Sequence, residues 1–276
     1  MSYKKILTIQ DISCLGQCSL TVALPIISAC GCETCVLPSA ILSTHTAGFS
    51  GYTFRDLTDD IPLIQDHWKK EGIAFDAIYT GYLGSTKQID YVADIFDTLT
   101  AEKGLIIVDP AMADGGKLYP AFDNEYVNAM KKLCSKADYL IPNITEACFL
   151  SGTEYKTEYN EAYIENMCSE LIKLGAKNII LTGVSYTVGK TGIVIYSENG
   201  MNYYEHEMKP NSCHGTGDIY ASAFVGAIMN NKTAYEAAKI AADYTVSCIE
   251  CTADDKSHWY GAKFEPVLYK LIELIK

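Results

Sequence analysis

Short apolar runs rich in β-branched residues alternate with longer stretches whose apolar positions recur at helical spacing. The strand candidates are Lys5–Ile9, Thr34–Pro38, Phe75–Thr80, Leu105–Asp109, Tyr139–Pro142 and Asn178–Thr182. Between them lie stretches such as Ser85–Glu102, where Ile89, Val92, Ala93 and Phe96 share one helical face. Ser85 is expected to cap that helix and Gly104 to stop it. This alternation predicts βαβ units around a mostly parallel sheet. After Gly183 the rhythm changes. Thr191–Glu198 and Met201–Glu207 alternate about Asn199-Gly200, a hairpin signal that predicts an antiparallel extension at one sheet edge. The last third turns helical over Gly217–Met229, Ala234–Cys251 and Phe264–Ile275. No linker, repeat or low-complexity segment interrupts the pattern, so a single domain over residues 1–276 is expected.

Composition narrows the class of function. With 49% hydrophobic and 20% charged residues in 276, the chain has the make-up of an ordinary globular protein. Its 34 acidic residues against 22 basic ones give a net charge of −12, which argues against a general nucleic-acid binder. Arg55 is the only arginine. The start MSYKKILTIQ lacks the apolar core of a signal peptide, and no apolar run suits a membrane span, so a cytoplasmic location is expected. The 11 cysteines then read as reduced, mostly buried thiols. Cys14, Cys18, Cys30, Cys32 and Cys35 crowd the N-terminal region, but only Cys32 and Cys35 have a zinc-type spacing, and core packing outweighs zinc.

Two glycine turns offer themselves as phosphate cradles. Gly183 to Thr191 resembles a P-loop, yet it has one residue too many between its glycines and runs into a strand rather than a helix. It reads as a polar loop, with Lys190 as a mobile cation near a ligand. The stretch Asn211-Ser-Cys-His-Gly215-Thr216-Gly217-Asp218 instead opens an apolar helix. The amides of Gly215, Thr216 and Gly217 would face outward at its positive end, and Asp218 is either a cap or a base beside an anion hole. Cys213 and His214 take a packing or loop role, since phosphoryl transfer needs no covalent intermediate. Asp109 and Glu146 follow strand ends, where a parallel sheet lines its ligand crevice, and are expected to meet over a hydrated Mg2+.

Six segments in order carry a resemblance. They are Leu7-Thr-Ile-Gln-Asp11, Leu42-Ser-Thr-His45-Thr46, Thr80-Gly-Tyr82-Leu-Gly84-Ser85, Val108-Asp109-Pro110-Ala-Met112, Pro142-Asn143-Ile-Thr-Glu146 and His214-Gly-Thr-Gly-Asp218. On these the chain resembles the pyridoxal kinase group of the ribokinase-like kinases over nearly its whole length. The resemblance implies an α/β fold, the ribokinase-like three-layer α/β/α sandwich, and ATP-dependent phosphorylation of the 5′-hydroxymethyl group of a vitamin B6 vitamer. It makes Asp218 the catalytic base and Gly215, Thr216 and Gly217 the anion hole. Asp109, Asn143 and Glu146 fall around the Mg-ATP phosphates, with Asp109 and Glu146 toward the metal. Thr182 and Gly183 approach the nucleotide. Asp11, His45, Thr46 and Tyr82 belong to the substrate side, with Ala47–Tyr52 as part of a cover. Mg2+, ATP, a monovalent cation and a homodimer are further implications.

Two positions depart from the family pattern. Asp11 stands where familiar pyridoxal kinases place a serine, and a carboxylate there favours pyridoxamine or a protonated ring nitrogen. Thr182 stands where some relatives carry a lysine, which leaves more phosphate charge to Mg2+. The alternatives are a hydroxymethylpyrimidine kinase of the same fold and a catalytically silent module binding nucleotide or pyridoxal phosphate. An intact Asp218 turn speaks against the latter. An NAD-dependent oxidoreductase is disfavoured because no G-x-G-x-x-G follows the first strand.

Overall fold

The computed structural model describes residues 3–209 and 213–276; Asn211 and Ser212, within the glycine-turn motif, lie outside the described residues. The chain begins with β1 (Lys5–Ser13), α1 (Leu20–Ala29), β2 (Glu33–Leu42), β3 (Phe54–Asp56), α2 (Ile61–Lys70), β4 (Phe75–Thr80) and α3 (Thr86–Leu99). There follow β5 (Thr100–Val108), the small hairpin β6 (Ala113–Asp114) and β7 (Lys117–Leu118), α4 (Asn124–Cys134), β8 (Tyr139–Leu140), α5 (Ile144–Ser151) and α6 (Glu161–Leu174). It closes with β9 (Asn178–Val184), β10 (Lys190–Ser197), β11 (Gly200–Glu207), α7 (Thr216–Met229), α8 (Ala234–Thr252) and α9 (Leu268–Ile275).

Nine strands join in one sheet, ordered β11-β10-β9-β8-β5-β4-β1-β2-β3. From β9 to β2 every neighbour is parallel. The expected hairpin β10–β11 extends one edge antiparallel. The other edge is also antiparallel, through the short exposed β3, which the pattern did not predict. Side chains of α1, α7, α8 and α9, among them Ile26, Phe224, Ala241 and Leu271, pack on one face of the sheet. Residues of α2 to α6, such as Ile61, Val92, Met130, Leu150 and Ile164, pack on the other. The result is the three-layer α/β/α sandwich of the ribokinase-like fold. Among the described residues no helix is long and apolar enough to cross a membrane.

Helix α7 is buried at every position from Ile219 to Met229, because α1, α8 and the sheet enclose it. Full burial of each large apolar side chain there stabilises by about 2 kcal/mol. Gly226 allows the approach of α1, since a Cβ would come within 2.3 Å of Cys30 Sγ. The helix that carries Asp218 is therefore anchored along its length.

Two sequence expectations need correction here. Ser85 does cap α3, accepting from the Gln88 amide at 3.3 Å, but the helix ends at Leu99 and not at Glu102. Gly104 lies inside β5 rather than stopping the helix. Residues Ala101 to Lys103 suit a helix locally, yet the pairing of Thr100 with Phe75 recruits them into the sheet. The stretch Phe264–Ile275 opens with a 3-10 turn, Glu265–Val267, and becomes α-helical at Leu268.

Candidate active site

Parallel strands bring their C-terminal ends to one edge of the sheet, and the N-terminus of α7 arrives at that edge. Gly215 takes a left-handed conformation (φ 77°) as the residue before α7. A Cβ there would lie 1.8 Å from the Gln17 carbonyl oxygen, so no other residue fits this turn. The Ile219 amide is the one that bonds back to Gly215 O, at 3.0 Å, which leaves the amides of Thr216 and Gly217 outside the helical ladder.

Asp218 sits in the first turn and is half-buried. Burial is the main force pushing its carboxyl up to about 7; the Ser19 backbone N–H pulls it back, and Asp11 adds repulsion. Asp109, at the end of β5, is held well above the usual carboxylate range by burial, then by Glu146 and Asp218. Glu146 is pushed up to about 7 by burial, against the pull of the Asn143, Met112 and Ala113 amides. The fold thus gathers Asp109, Glu146 and Asp218 where each feels another's charge.

Asn143 and Glu146 form a reciprocal capping box on α5. The Asn143 amide donates to Glu146 Oε2 at 2.9 Å, and the Glu146 amide donates to Asn143 Oδ1 at 2.9 Å. Glu146 Oε1 accepts from the Met112 amide at 3.1 Å, and Asn143 Nδ2 donates to Ala113 O at 2.8 Å. The box therefore ties the small hairpin to the site, and the Asn143 side chain serves the scaffold. Thr182 donates through N and Oγ1 to Pro142 O, at 2.9 and 3.3 Å, joining β9 to the same loop. Gly183 (φ 76°) is an extra residue bulging from β9 against β10, and it is exposed.

On the other side of Asp218, the pairing of β1 with β2 breaks register between Gln10 and Ile12, at Asp11. The buried Asp11 carboxylate accepts from Ser19 Oγ at 2.6 Å and Ser13 Oγ at 3.1 Å. Burial raises its pKa and the two hydroxyls oppose that rise. Ser19 has φ 55° and ψ −130°, a strained conformation for a residue with a side chain. Its hydroxyl holds Asp11 while its backbone N–H faces Asp218, so one residue bridges the two carboxylates.

His45 is buried, and its Nδ1 accepts from the Ala47 amide at 3.1 Å. Its proton therefore sits on Nε2, which donates to Tyr260 O at 2.6 Å. Thr46 is exposed beside it. Tyr82 is half-buried, its ring tilted against Phe122 at 5.5 Å, and its hydroxyl is raised by burial and then by Asp11. Asp11, Tyr82 and Asp218 thus converge, buried His45 bears on Asp11 from the same side, and exposed Thr46 belongs to the rim.

Three features escaped the sequence reading. Ser19 looks like an ordinary helix cap in sequence, yet it makes no side-chain cap bond. The segment 258–262 between α8 and α9 folds back over the site. Trp259 packs on Phe49 at 4.6 Å, His258 pairs with Gln17 at 2.8 Å, and the Ala262 amide donates to His214 O at 3.2 Å. Tyr119 follows the small hairpin, and its hydroxyl is raised by burial and by Glu146, Asp109, Asp114 and Asp218. The turn Asp114-Gly115-Gly116-Lys117 was a readable hairpin signal for that element. Lys190, expected as a mobile cation, pairs with Glu205 at 2.7 Å.

All eleven cysteines are free thiols. Among the described residues no group of three or more His, Cys, Asp or Glu is placed to hold a metal by itself. Two cavities are lined by other residues: about 250 Å³ beside Gly116, Phe149 and Tyr155, and about 480 Å³ beside Arg55, Asp59 and Lys87.

The model of the phosphomethylpyrimidine kinase family matches residues 24–266. A Bacteroides thetaiotaomicron protein described as a phosphomethylpyrimidine kinase superposes with a TM-score of 0.94 at 36% identity, over 98% of this chain and 94% of its own. A second crystal form of it, with pyridoxal, gives 0.92 over 98% and 96%. Pyridoxal kinase from Lactobacillus plantarum gives 0.92 at 28% identity, over 99% of this chain and 98% of its own. In sequence, pyridoxal kinase of Dictyostelium discoideum is 25% identical over 241 residues, 80% of this chain and 77% of that protein. The chain belongs to the phosphomethylpyrimidine kinase family and is an ATP-using phosphotransferase.

Proposed function

We propose that this kinase transfers the γ-phosphoryl group of ATP to the 5′-hydroxymethyl group of a B6 vitamer: pyridoxal, pyridoxine or pyridoxamine. One observation carries the reading. A carboxylate with its pKa near 7 stands in the first turn of a buried helix, beside amides outside the helical ladder. Such a group is deprotonated often enough at neutral pH to take a hydroxyl proton, yet basic enough to hold it. Asp218 accepts that proton as the oxygen attacks, and the amides of Gly215, Thr216 and Gly217 take the charge on the phosphoryl oxygens.

The donor set suits Mg2+. Asp109 and Glu146 are two hard oxygen donors, poorly solvated and repelling one another, and a hydrated Mg2+ typically takes one or two carboxylates with phosphate oxygens. The ion supplies neutralisation of the polyphosphate, which this chain needs because Thr182 offers no positive charge. Asn143, Thr182 and Gly183 shape the strand ends where the nucleotide lies. A monovalent cation and a homodimer complete the expectation.

On the vitamer side, Tyr82 offers an aromatic face to the pyridine ring. His45, Thr46, Phe49 and Trp259 form the cover that excludes water. Asp11 keeps a lone pair on each oxygen after bonding Ser13 and Ser19, so it accepts from a protonated ring nitrogen or an amine. The family match favours a second reading, in which a hydroxymethylpyrimidine takes the ring site. Steady-state assays with Mg-ATP and the three vitamers, set beside hydroxymethylpyrimidine, separate the two. The expected result is a vitamer with the highest kcat/KM, and a change of ranking among vitamers in Asp11→Ser. Turnover of the pyrimidine alone would replace the first reading with the second.

A further inference from the structure

Directly behind the carboxylates, the sheet face that packs on α7 is polar where the rest of that face is apolar. Thr8 on β1 and Tyr79 on β4 are register partners, and Gln10 lies two residues beyond Thr8 on the same face. Ser222 lies one turn after Asp218 on α7. Thr8, Gln10, Tyr79 and Ser222 are each 0% exposed. Gln10 Nε2 donates to Thr8 Oγ1 at 2.9 Å. Gln10 Oε1, Tyr79 Oη and Ser222 Oγ have no hydrogen-bond partner among the described residues. Gly81, the next residue after Tyr79 on this face, is bare because a Cβ there would meet Gln10 Oε1 at 2.8 Å.

A buried hydroxyl whose neighbours stand outside good hydrogen-bond geometry costs up to about 1–3 kcal/mol, and phenylalanine would fill the same space without that penalty. Ser222 and Gln10 face the Tyr79 hydroxyl, and Asp109 and Asp218 are the charges that bear on it. No backbone carbonyl among the described residues captures its proton, and the approach of Ser222 links it to α7 one turn from Asp218. We propose that Tyr79, flanked by Ser222 and Gln10, is a positioning residue for phosphoryl transfer, holding Asp218 and the first turn of α7 in their reactive orientation. The proposal rests on Asp218 acting as the base.

The test uses the full chain with Mg-ATP and its preferred vitamer, comparing Tyr79→Phe, Ser222→Ala, Ser222→Thr and Asp218→Asn for kcat, both KM values and Tm. Tyr79→Phe is expected to lower kcat about tenfold while each KM stays within about twofold and Tm does not fall. Ser222→Ala should lower kcat less, and Ser222→Thr should restore it. A Tyr79→Phe kcat equal to the parent's, with Asp218→Asn inactive, overturns the proposal and leaves the base intact. A fall in Tm with both KM values raised overturns it as well, by making the hydroxyl structural. An active Asp218→Asn removes the base, and the proposal with it.

Discussion

Two glycine turns look interchangeable as phosphate cradles until the element after each is considered. Gly183 bulges from β9, and Gly189 (φ 80°) closes a turn in which the Lys190 amide donates to Thr187 O at 3.0 Å. The chain then continues as β10, whose amides enter the sheet ladder, and Lys190 is neutralised across the hairpin by Glu205. Gly215 instead feeds a 14-residue helix buried from Ile219 onward, whose first amides stay outside the ladder next to Asp218. Anion binding comes from the element a turn opens, because only a helix start leaves several amides aligned with a dipole and unpartnered.

The largest test of that contrast is Asp218→Asn, expected to lower turnover by about a thousandfold with nucleotide binding retained. The same substitution should raise stability at alkaline pH. The folded-state pKa of about 7 lies above the unfolded value near 3.8, so the group's contribution is fully present below about pH 4 and is lost as pH rises through 7. Above pH 7 the parent carries a penalty of roughly 2–4 kcal/mol that asparagine avoids, and melting curves at pH 4 and 8 should show the gap only at the higher pH. In the parent, kcat/KM should fall about tenfold per pH unit below 7.

The glycines themselves come next. In Gly215→Ala the new Cβ meets a backbone carbonyl, so kcat should fall by about a hundredfold or the fold lose several kcal/mol. Gly189→Ala, with nothing within 4 Å, should show only a left-handed penalty of about 1 kcal/mol, read as a small fall in Tm, and unchanged turnover. Equal kinetic losses at the two turns would erase the distinction between them.

A smaller effect belongs to Ser19→Gly. It relieves the φ of 55° while removing the hydroxyl from Asp11, so Tm should hold or rise as the vitamer KM changes. An unchanged KM would show that Asp11 needs no such support. Smallest is Lys190→Ala, expected to leave the KM for ATP within about twofold, since an exposed ion pair contributes under about 1 kcal/mol.

Much of this architecture was readable along the chain. Alternating strand and helix patterns located the parallel sheet, and Asn199-Gly200 marked the hairpin between β10 and β11. The β3 edge was not readable, because Phe54–Asp56 is three exposed residues whose pairing with β2 exists only once the loop has folded. The end of α3 was misplaced for a related reason: helix propensity is local, and strand pairing overruled it.

The site divides in the same way. Asp109, Glu146 and Asp218 could be picked from strand ends and a glycine turn, since topology alone carries such positions to one edge. Ser19 could not, because a serine before a helix reads as a cap, and its backbone conformation and bond to Asp11 arise from the packing of α1 against β1. Nor could the connector 258–262: His45 meets Tyr260 across 215 residues, and Gln17 meets His258 across 241. Sequence by itself determined most of the elements, their order, and the carboxylates and glycines available for phosphoryl chemistry, because periodicity and turn chemistry act over a few residues. Tertiary structure alone decided which turn presents free amides, which carboxylates share a field, and which distant loops close over them, because burial and charge coupling are properties of neighbours in space.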